Sequence, residues 1–179
     1  GLKRALGLDP EQSFILPEDV VSHARKQAAD NTRAARADWD ARFATWQQAN
    51  PAGAALLERL EAHRLPEGLE EALPTWEVGE SLATRAASGK VLSALAGVVP
   101  ELWGGSADLA GSNNTTMAGE PSFLPAALAQ SEGDGPFGRT LHFGVREHAM
   151  GSILNGIALD GLTRPYGGTF MVFSDYMRP

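Results

Sequence analysis

The sequence predicts an α/β protein in which a helical N-terminal segment precedes part of a doubly wound parallel sheet. Glycine is unevenly distributed, with 4 of the 20 glycines in residues 1–75 and 16 in residues 76–179, so the two parts make different demands on the backbone. The first part shows a helical period, whereas the second alternates between helix-like and strand-like segments. We therefore predict a boundary near residue 75.

Helices account for the first part. The stretch "LPEDVV" predicts a helix start, with Pro17 at the first helical position and Glu18 and Asp19 in the first turn. Apolar residues then recur at spacings of three, four or seven, as on one face of a long helix. They are Val21, Ala24, Ala28, Ala35, Trp39, Phe43 and Trp46. An Asn-Pro pair ends this helix, and "PAGAALLERLEAHRL" predicts a second one.

The second part alternates in type. Helices are predicted for "ESLATRAASGKVLSALAGVV" and "REHAMGSILNGIALDG", and strands for "ELWGG" and "RTLHFG". The segment "TRPYGGTFMVFSDYM" predicts a strand, a turn and the start of a helix. We expect Gly104 and Gly105 to allow a sharp exit from the first strand. Such alternation predicts a parallel sheet with binding sites at the carboxyl ends of its strands.

Composition narrows the possible functions. Hydrophobic residues make up 43% and charged residues 21% of the chain, as in globular proteins. The net charge of −7 argues against nonspecific nucleic-acid binding, and no apolar run approaches the roughly 20 residues of a membrane span. Cysteine is absent, which fits a reducing, cytoplasmic location. We expect neither a nucleic-acid partner nor a membrane partner.

The stretch "LHFGVREHAMG" places Glu147 after a short apolar run, at the start of a predicted helix. The local sequence leaves two interpretations open. Glu147 is either a first-turn acid that compensates the helix dipole, worth about 0.3–1 kcal/mol, or an acid used in chemistry. Phe170, Phe173 and Tyr176 follow three residues apart, and that pattern alone is more typical of a core patch than of a cofactor site.

Three long segments point to a family. "ELWGGSADLAGSNNT", "GRTLHFGVREHAMGSILNGIAL" and "RPYGGTFMVFSDYMRP" together resemble transketolase, in this order and at close to the expected spacing. The resemblance covers most of residues 76–179 and implies the N-terminal portion of a pyrimidine-binding domain. Residues 1–75 are similar, less specifically, to the helical linker that ends the diphosphate-binding domain.

The resemblance implies a thiamine diphosphate site. Glu147 stands at the position of the acid that hydrogen-bonds the far ring nitrogen of the aminopyrimidine, which favours the imino tautomer and lets the exocyclic nitrogen take the C2 proton. Such an acid must be partly desolvated to share a proton near neutral pH. The implied cofactor-binding residues are Asp108, Glu147, Phe170, Phe173 and Tyr176. Among the aromatic residues, Phe173 is expected to stack on the pyrimidine.

Arg85 and Ser112 match the family positions that hold the terminal phosphate of the sugar substrate. An arginine offers a forked, charge-assisted contact to phosphate oxygens, and a serine adds a hydroxyl donor. Without the resemblance, Arg85 would be interpreted as a solvated helix residue.

The implied activity is transfer of a two-carbon ketol unit from a ketose phosphate to an aldose phosphate. The resemblance implies thiamine diphosphate, a divalent cation (magnesium or calcium) held by the diphosphate-binding domain, and a homodimer with active sites between subunits. We expect residues 1–179 alone to be inactive without the remainder of the transketolase chain. Two alternatives stay open: a related thiamine enzyme such as dihydroxyacetone synthase, and a non-catalytic structural or partner-binding remnant.

Two patterns suggest metal chemistry but are interpreted otherwise. "GDG" at residues 133–135 matches the core of the family's diphosphate-and-metal signature, but no strand precedes it and no Asn pair follows at the usual distance. We interpret it as a turn. His142 and His148 are six residues apart across a strand–helix junction, unlike the i, i+4 pair of a helical zinc site. We predict no metal ligand in this chain.

Overall fold

The structure, a computed structural model that describes residues 1–178, contains two units. The first comprises Gly1–Ala54 and the second begins at Ala55. The predicted fold class, a helical segment followed by a parallel α/β sheet, is confirmed. Within the described residues, no helix combines the length and the apolar character needed to cross a membrane.

Two helices form the first unit, α1 (Leu2–Ala5) and the long α2 (Glu18–Ala49). Pro17 is the N-cap residue of α2 and not, as predicted, its first helical residue. Glu18 and Asp19 lie in the first turn, beside the positive end of the helix dipole. Within residues 1–54 no side chain is fully buried.

Aromatic side chains stack along α2. The ring centroids of Trp39 and Phe43 are 4.8 Å apart, and those of Phe43 and Trp46 are 5.7 Å apart, with nearly parallel planes. Spacings of three and four residues place the three rings on one helix face, which explains the stack. The guanidinium of Arg36 lies 5.3 Å from the Trp39 ring centroid, so a cation–π contact extends the aromatic stack.

The remaining elements alternate helix and strand. They are α3 (Pro51–Glu61), α4 (Leu69–Ala72), α5 (Thr84–Ala96), β1 (Leu102–Ser106), α6 (Ala110–Asn113), β2 (Thr140–His142), α7 (Glu147–Asp160) and β3 (Arg164–Gly168). Short 3₁₀ helices cover Ala126–Leu128 and Met171–Met177. The last of these occupies the segment for which the sequence predicts a turn and a helix start.

The three strands are parallel in the order β2-β1-β3, so β1 is central. Gly105 is in register with Leu141 on one side and with Gly167 on the other. The two strands that follow β1 in the chain, β2 and β3, therefore lie on opposite sides of it. Where the strand order of a parallel sheet reverses direction in this way, a crevice forms at the carboxyl ends of the strands.

Apolar side chains cover both faces of the sheet. Leu102 and Trp103 are adjacent on β1 and so point to opposite faces. Leu102 joins a cluster with Ala96, Val99 and Met117, against which α5 packs. Trp103 packs on the second cluster, formed by Ala107, Leu141, Phe143 and Met150, beside α7. The helices on the two faces make the sheet doubly wound.

The role expected for two glycines is wrong. Gly104 and Gly105 lie within β1, not at an exit from it. A Cβ atom on Gly104 would come 2.0 Å from the carbonyl oxygen of Tyr166, and one on Gly105 would come 1.8 Å from that of Leu141. These glycines are needed because the neighbouring strands approach the β1 backbone too closely for any side chain.

A buried carboxylate joins three segments at the amino end of the sheet. Glu101, just before β1, has a side chain only 2% exposed and receives two hydrogen bonds from Arg59 of α3, at 2.8 and 2.7 Å. Arg164, the first residue of β3, donates a third at 3.3 Å. Burial acts to raise the pKa of Glu101, but the hydrogen bonds from Arg59 and Arg164 and the nearby positive charge hold that pKa below its usual value.

Replacing Glu101 by alanine should destabilise the second unit by about 3–5 kcal/mol, because it leaves the guanidinium of Arg59 without its carboxylate in a largely buried position. The measurement is the free energy of unfolding in urea.

The exposed pair between Glu58 and Arg64 provides the control, because both side chains are more than half exposed. Glu58→Ala should cost no more than about 1 kcal/mol. Equal losses for Glu101→Ala and Glu58→Ala would contradict the structural importance assigned to Glu101.

Candidate cofactor site at the carboxyl ends of the strands

A cavity of about 510 Å³ lies where the three strands end. Its walls come from residues 107–109 after β1, residues 145–148 after β2 and residues 169–176 after β3. The position is the one that strand reversal predicts for a ligand site. All five residues that the resemblance implies for cofactor binding line it, namely Asp108, Glu147, Phe170, Phe173 and Tyr176.

Glu147 is the first residue of α7, and only 8% of it is exposed. A left-handed turn at Gly144 (φ 65°) precedes the helix, and Met150, 1% exposed, anchors the first turn in the core. Among residues 1–178, no protein group donates a hydrogen bond to the Glu147 carboxylate. Its carboxylate oxygens are not among the fully buried oxygens that lack a partner, so the carboxyl group keeps access to the cavity that it lines and is available to a ligand there.

The aromatic wall is a consequence of the 3₁₀ helix Met171–Met177. With three residues per turn, side chains three apart lie directly above one another. Accordingly, the ring centroids of Phe170 and Phe173 are 6.3 Å apart, and those of Phe173 and Tyr176 are 6.2 Å apart. Phe173 is the central ring of the three.

Asp108 and Leu109, which follow β1, form another part of the cavity wall, and both adopt left-handed backbone conformations, with φ 67° and 51°. Side chains with a Cβ rarely occupy this region, and a bulky residue such as leucine is strained there. The composition of "GGSADLAGSNN" contains no sign of this conformation.

Arg85 lies in a second cavity of about 580 Å³ that adjoins the first. The two cavities share Asn113, Thr169 and Phe170 as lining residues. The Arg85 Nη1 atom contacts the Ser112 carbonyl oxygen at 3.5 Å, so the structure brings together the two residues implied for phosphate binding. That contact uses the backbone of Ser112, and the Arg85 guanidinium is otherwise exposed to solvent.

The residues present fit the aminopyrimidine of thiamine diphosphate. A flat heteroaromatic ring with polar edges needs apolar walls and a few polar partners. The first cavity offers three aromatic rings and one buried carboxyl group. In addition, the Thr169 Oγ1 atom is buried without a hydrogen-bond partner among the described residues.

Several cavity residues are absent from the sequence-based prediction. They are Ala107, Leu109, Asn113, Val145, Arg146, His148 and Thr169. Asn113 belongs to the segment "ELWGGSADLAGSNNT", so the sequence could have indicated it as a site residue. Its side-chain contacts, however, depend on how the chain folds around the end of β1. Arg146 and His148 are exposed on either side of the buried Glu147.

Comparison with known proteins identifies the family of this chain. A family model described as "Transketolase, pyrimidine binding domain" matches residues 80–179. A second, described as "Transketolase, thiamine diphosphate binding domain", matches residues 1–66. The parallel sheet with its carboxyl-end cavity is thus an α/β cofactor-binding domain of the thiamine diphosphate class. More particularly, the chain belongs to the transketolase family.

Individual relatives are similar over nearly the whole chain. The transketolase of Mycobacterium tuberculosis (strain H37Rv) is 55% identical over 99% of this chain and 26% of its own length. That of Geobacillus stearothermophilus is 47% identical over 94% of this chain and 24% of its own. A crystal structure of Pichia stipitis transketolase in complex with sedoheptulose 7-phosphate superposes with a TM-score of 0.87 and 40% identity, covering 98% of this chain and 26% of that one. The chain therefore spans about a quarter of the length of these relatives.

The "GDG" segment organises a loop. The Asp134 carboxylate accepts hydrogen bonds from the backbone N–H groups of Ser122, Gln130 and Ser131, at 2.7, 3.1 and 2.9 Å. These bonds, that from Ser122 foremost, hold the pKa of Asp134 below its usual value. His142 lies beside this loop, with Nε2 2.9 Å from the Ser122 hydroxyl. Within residues 1–178, no cluster of three or more His, Asp or Glu side chains is arranged to hold a metal ion.

Asp134→Ala should loosen this loop, because three backbone donors lose their acceptor. The expected result is faster hydrogen exchange at the amides of Ser122, Gln130 and Ser131, measured by NMR or mass spectrometry. Glu132→Ala removes a neighbouring exposed acid and should leave these rates unchanged. Unaltered exchange in Asp134→Ala would contradict the assigned role.

Proposed function

We propose that this chain forms the helical linker and the first part of the pyrimidine-binding domain of a transketolase, with the boundary near residue 75. The complete protein would move a two-carbon ketol unit from a ketose phosphate to an aldose phosphate. The observation that carries the proposal is the position of Glu147, a residue only 8% exposed, in the wall of the same cavity as three aromatic rings.

Bound thiamine diphosphate would supply a carbon acid, C2 of its thiazolium ring, able to carry the two-carbon unit. Glu147 would share a proton with the far ring nitrogen of the aminopyrimidine and so favour its imino form. The position of Glu147 supports this role, because the residue lies in the wall of the cavity together with the three aromatic rings. Phe173 would stack on the pyrimidine, while Phe170 and Tyr176 exclude water and Asp108 forms another part of the wall.

Arg85 and Ser112 would bind the terminal phosphate of the sugar. Arg85 lines the cavity that adjoins that of Glu147, and Ser112 immediately precedes Asn113, which lines both, so a sugar could reach from one cavity to the other. The exposed Arg85 guanidinium has its remaining N–H groups available for phosphate oxygens. The complex of Pichia stipitis transketolase with sedoheptulose 7-phosphate supports a sugar phosphate as the ligand class.

We further propose a homodimer in the cytoplasm, with each active site between subunits. Val145 lines the cavity, and Met171 and Val172 belong to the 3₁₀ helix that follows β3; these residues are 76%, 86% and 75% exposed. Large apolar side chains at this exposure are suited to burial against another polypeptide. The diphosphate and a divalent cation, magnesium or calcium, would be held by residues outside this chain.

Glu147→Gln in the complete protein should slow exchange of the cofactor C2 proton by about 10²–10⁴-fold, because glutamine keeps the shape of the side chain but cannot share a proton. Thiamine diphosphate affinity should change far less. The C2 exchange rate is followed by NMR in deuterated buffer, and the affinity by calorimetry.

Asp175→Asn is the matched control, an acid-to-amide change in the aromatic segment at a carboxylate that is 80% exposed. It should leave C2 exchange at the wild-type rate. Wild-type exchange in Glu147→Gln would exclude the proposed role of Glu147.

A purified polypeptide of residues 1–179 should show no ketol transfer between xylulose 5-phosphate and ribose 5-phosphate, because we place the diphosphate and cation ligands elsewhere in the enzyme. The complete protein assayed in parallel is the positive control. Turnover by residues 1–179 alone would contradict this division of the site.

A further inference from the structure

We propose that Ser106 and Asn113 are positioning residues, which hold the Asp108 side of the cofactor cavity in a strained conformation and at a fixed distance from the aromatic wall. We call the hydrogen bonds of these two side chains the Ser106–Asn113 clamp. The inference rests on the proposed function and adds to it two residues without a direct role in the chemistry.

The first observation is the strain that the clamp must oppose. Asp108 and Leu109 occupy left-handed conformations in succession, and Asn114 adopts a third one at the end of α6. Aspartate and asparagine tolerate this conformation but leucine does not, so the backbone at Leu109 would relax unless other contacts held it. The turn carries Asp108 and Leu109 into the cavity wall, and relaxation would move both.

The second observation is where the clamp acts. The Nδ2 group of Asn113 donates to the Ser106 Oγ atom at 2.7 Å and to the Asp108 carbonyl oxygen at 3.3 Å. The Ser106 hydroxyl also contacts that same carbonyl oxygen. Both side chains therefore converge on the peptide group between the two left-handed residues, which is the point where a hydrogen bond best opposes relaxation.

The third observation connects the two sides of the cavity. Ser106 is the last residue of β1, is 4% exposed, and its hydroxyl lies 3.1 Å from the Gly168 carbonyl oxygen at the end of β3. The backbone N–H of Ala107 donates to the same oxygen at 3.1 Å. Gly168 leads directly into Thr169 and Phe170, so the clamp connects the Asp108 turn to the aromatic wall.

The clamp thus links the turn at Asp108 to the end of β3, from which the aromatic wall continues. A flat ring gains dispersion energy from both walls only at van der Waals distance, and a shift of under 1 Å forfeits much of that contact. Preorganising the two walls lowers the ordering cost of binding. Asn113 also lines both cavities, so the clamp lies between the proposed cofactor and sugar-phosphate positions.

The experiment measures binding of thiamine diphosphate, at saturating magnesium, to the complete protein by calorimetry. Ser106→Ala and Asn113→Ala should each weaken binding by about fivefold to tenfold, the effect of losing one or two neutral hydrogen bonds that preorganise a site. Ser93→Ala is the matched control, because the Ser93 hydroxyl also bonds to the backbone, here as the acceptor of the Ala118 N–H at 3.1 Å, and it does so outside the cofactor cavity. Ser93→Ala should bind within about twofold of the wild type.

Rescue separates positioning from direct contact. Glycine adopts the left-handed conformation without strain, so Leu109→Gly should reduce the need for the clamp. The double variant Asn113→Ala/Leu109→Gly should bind within about twofold of Leu109→Gly alone, a non-additivity expected only if Asn113 acts through the turn. Melting temperatures recorded without cofactor identify any variant that fails to fold. If a single variant fails in this way, the comparison of Asn113→Ala/Leu109→Gly with Leu109→Gly still tests the clamp.

Wild-type affinity in both Ser106→Ala and Asn113→Ala, an equal loss in Ser93→Ala, or no rescue by Leu109→Gly would each overturn the inference. None of these results would touch the proposed function, which requires only that the wild type bind thiamine diphosphate and that Glu147 promote C2 exchange. Failure of the wild type to bind would instead contradict the proposed function.

Discussion

The buried ion pair between Glu101 and Arg59 is the contact on which the second unit depends. Glu101 immediately precedes the central strand β1, Arg59 lies in the last turn of α3, and Arg164 is the first residue of β3. A carboxylate this deeply buried is tolerable only when guanidinium groups satisfy it, so the three segments are held in one arrangement. That arrangement determines where β1 and β3 start, and hence where their carboxyl ends meet.

The two ends of β1 each have a buried glutamate nearby, but the surroundings of the two carboxyl groups differ. At the amino end, the charge of Glu101 is compensated by arginines. At the carboxyl end, Glu147 is almost equally buried but has no such compensation among the described residues. The fold therefore keeps one acid ionised and inert and leaves the other available to a ligand. Two carboxyl groups of similar burial can serve different purposes because their neighbours differ.

Much of this architecture is predictable from the sequence, and the exceptions have physical causes. The strand and helix segments around Glu147 follow from apolar periodicity, which records burial directly. Gly104 and Gly105 were assigned the wrong cause because the sequence does not reveal how closely β2 and β3 approach β1. The left-handed turn at Asp108 and Leu109 is not evident from the sequence, because leucine rarely adopts that conformation and the hydrogen bonds that Ser106 and Asn113 make to the turn depend on the folded backbone. The roles of the site residues depend on a cofactor and remain predictions.

The pairing of β1 with β3 has a consequence for how the protein folds. Glu101 and Arg164 are 63 positions apart, so the chain must close a long loop before this contact forms. Such non-local parallel pairings slow folding, whereas α5 and α7 can form early from local contacts. Because the aromatic wall follows β3, it can face Asp108 only after that slow step. The cavity is accordingly among the last parts of the unit to assemble, and a ligand that bridges its walls would stabilise the folded state selectively.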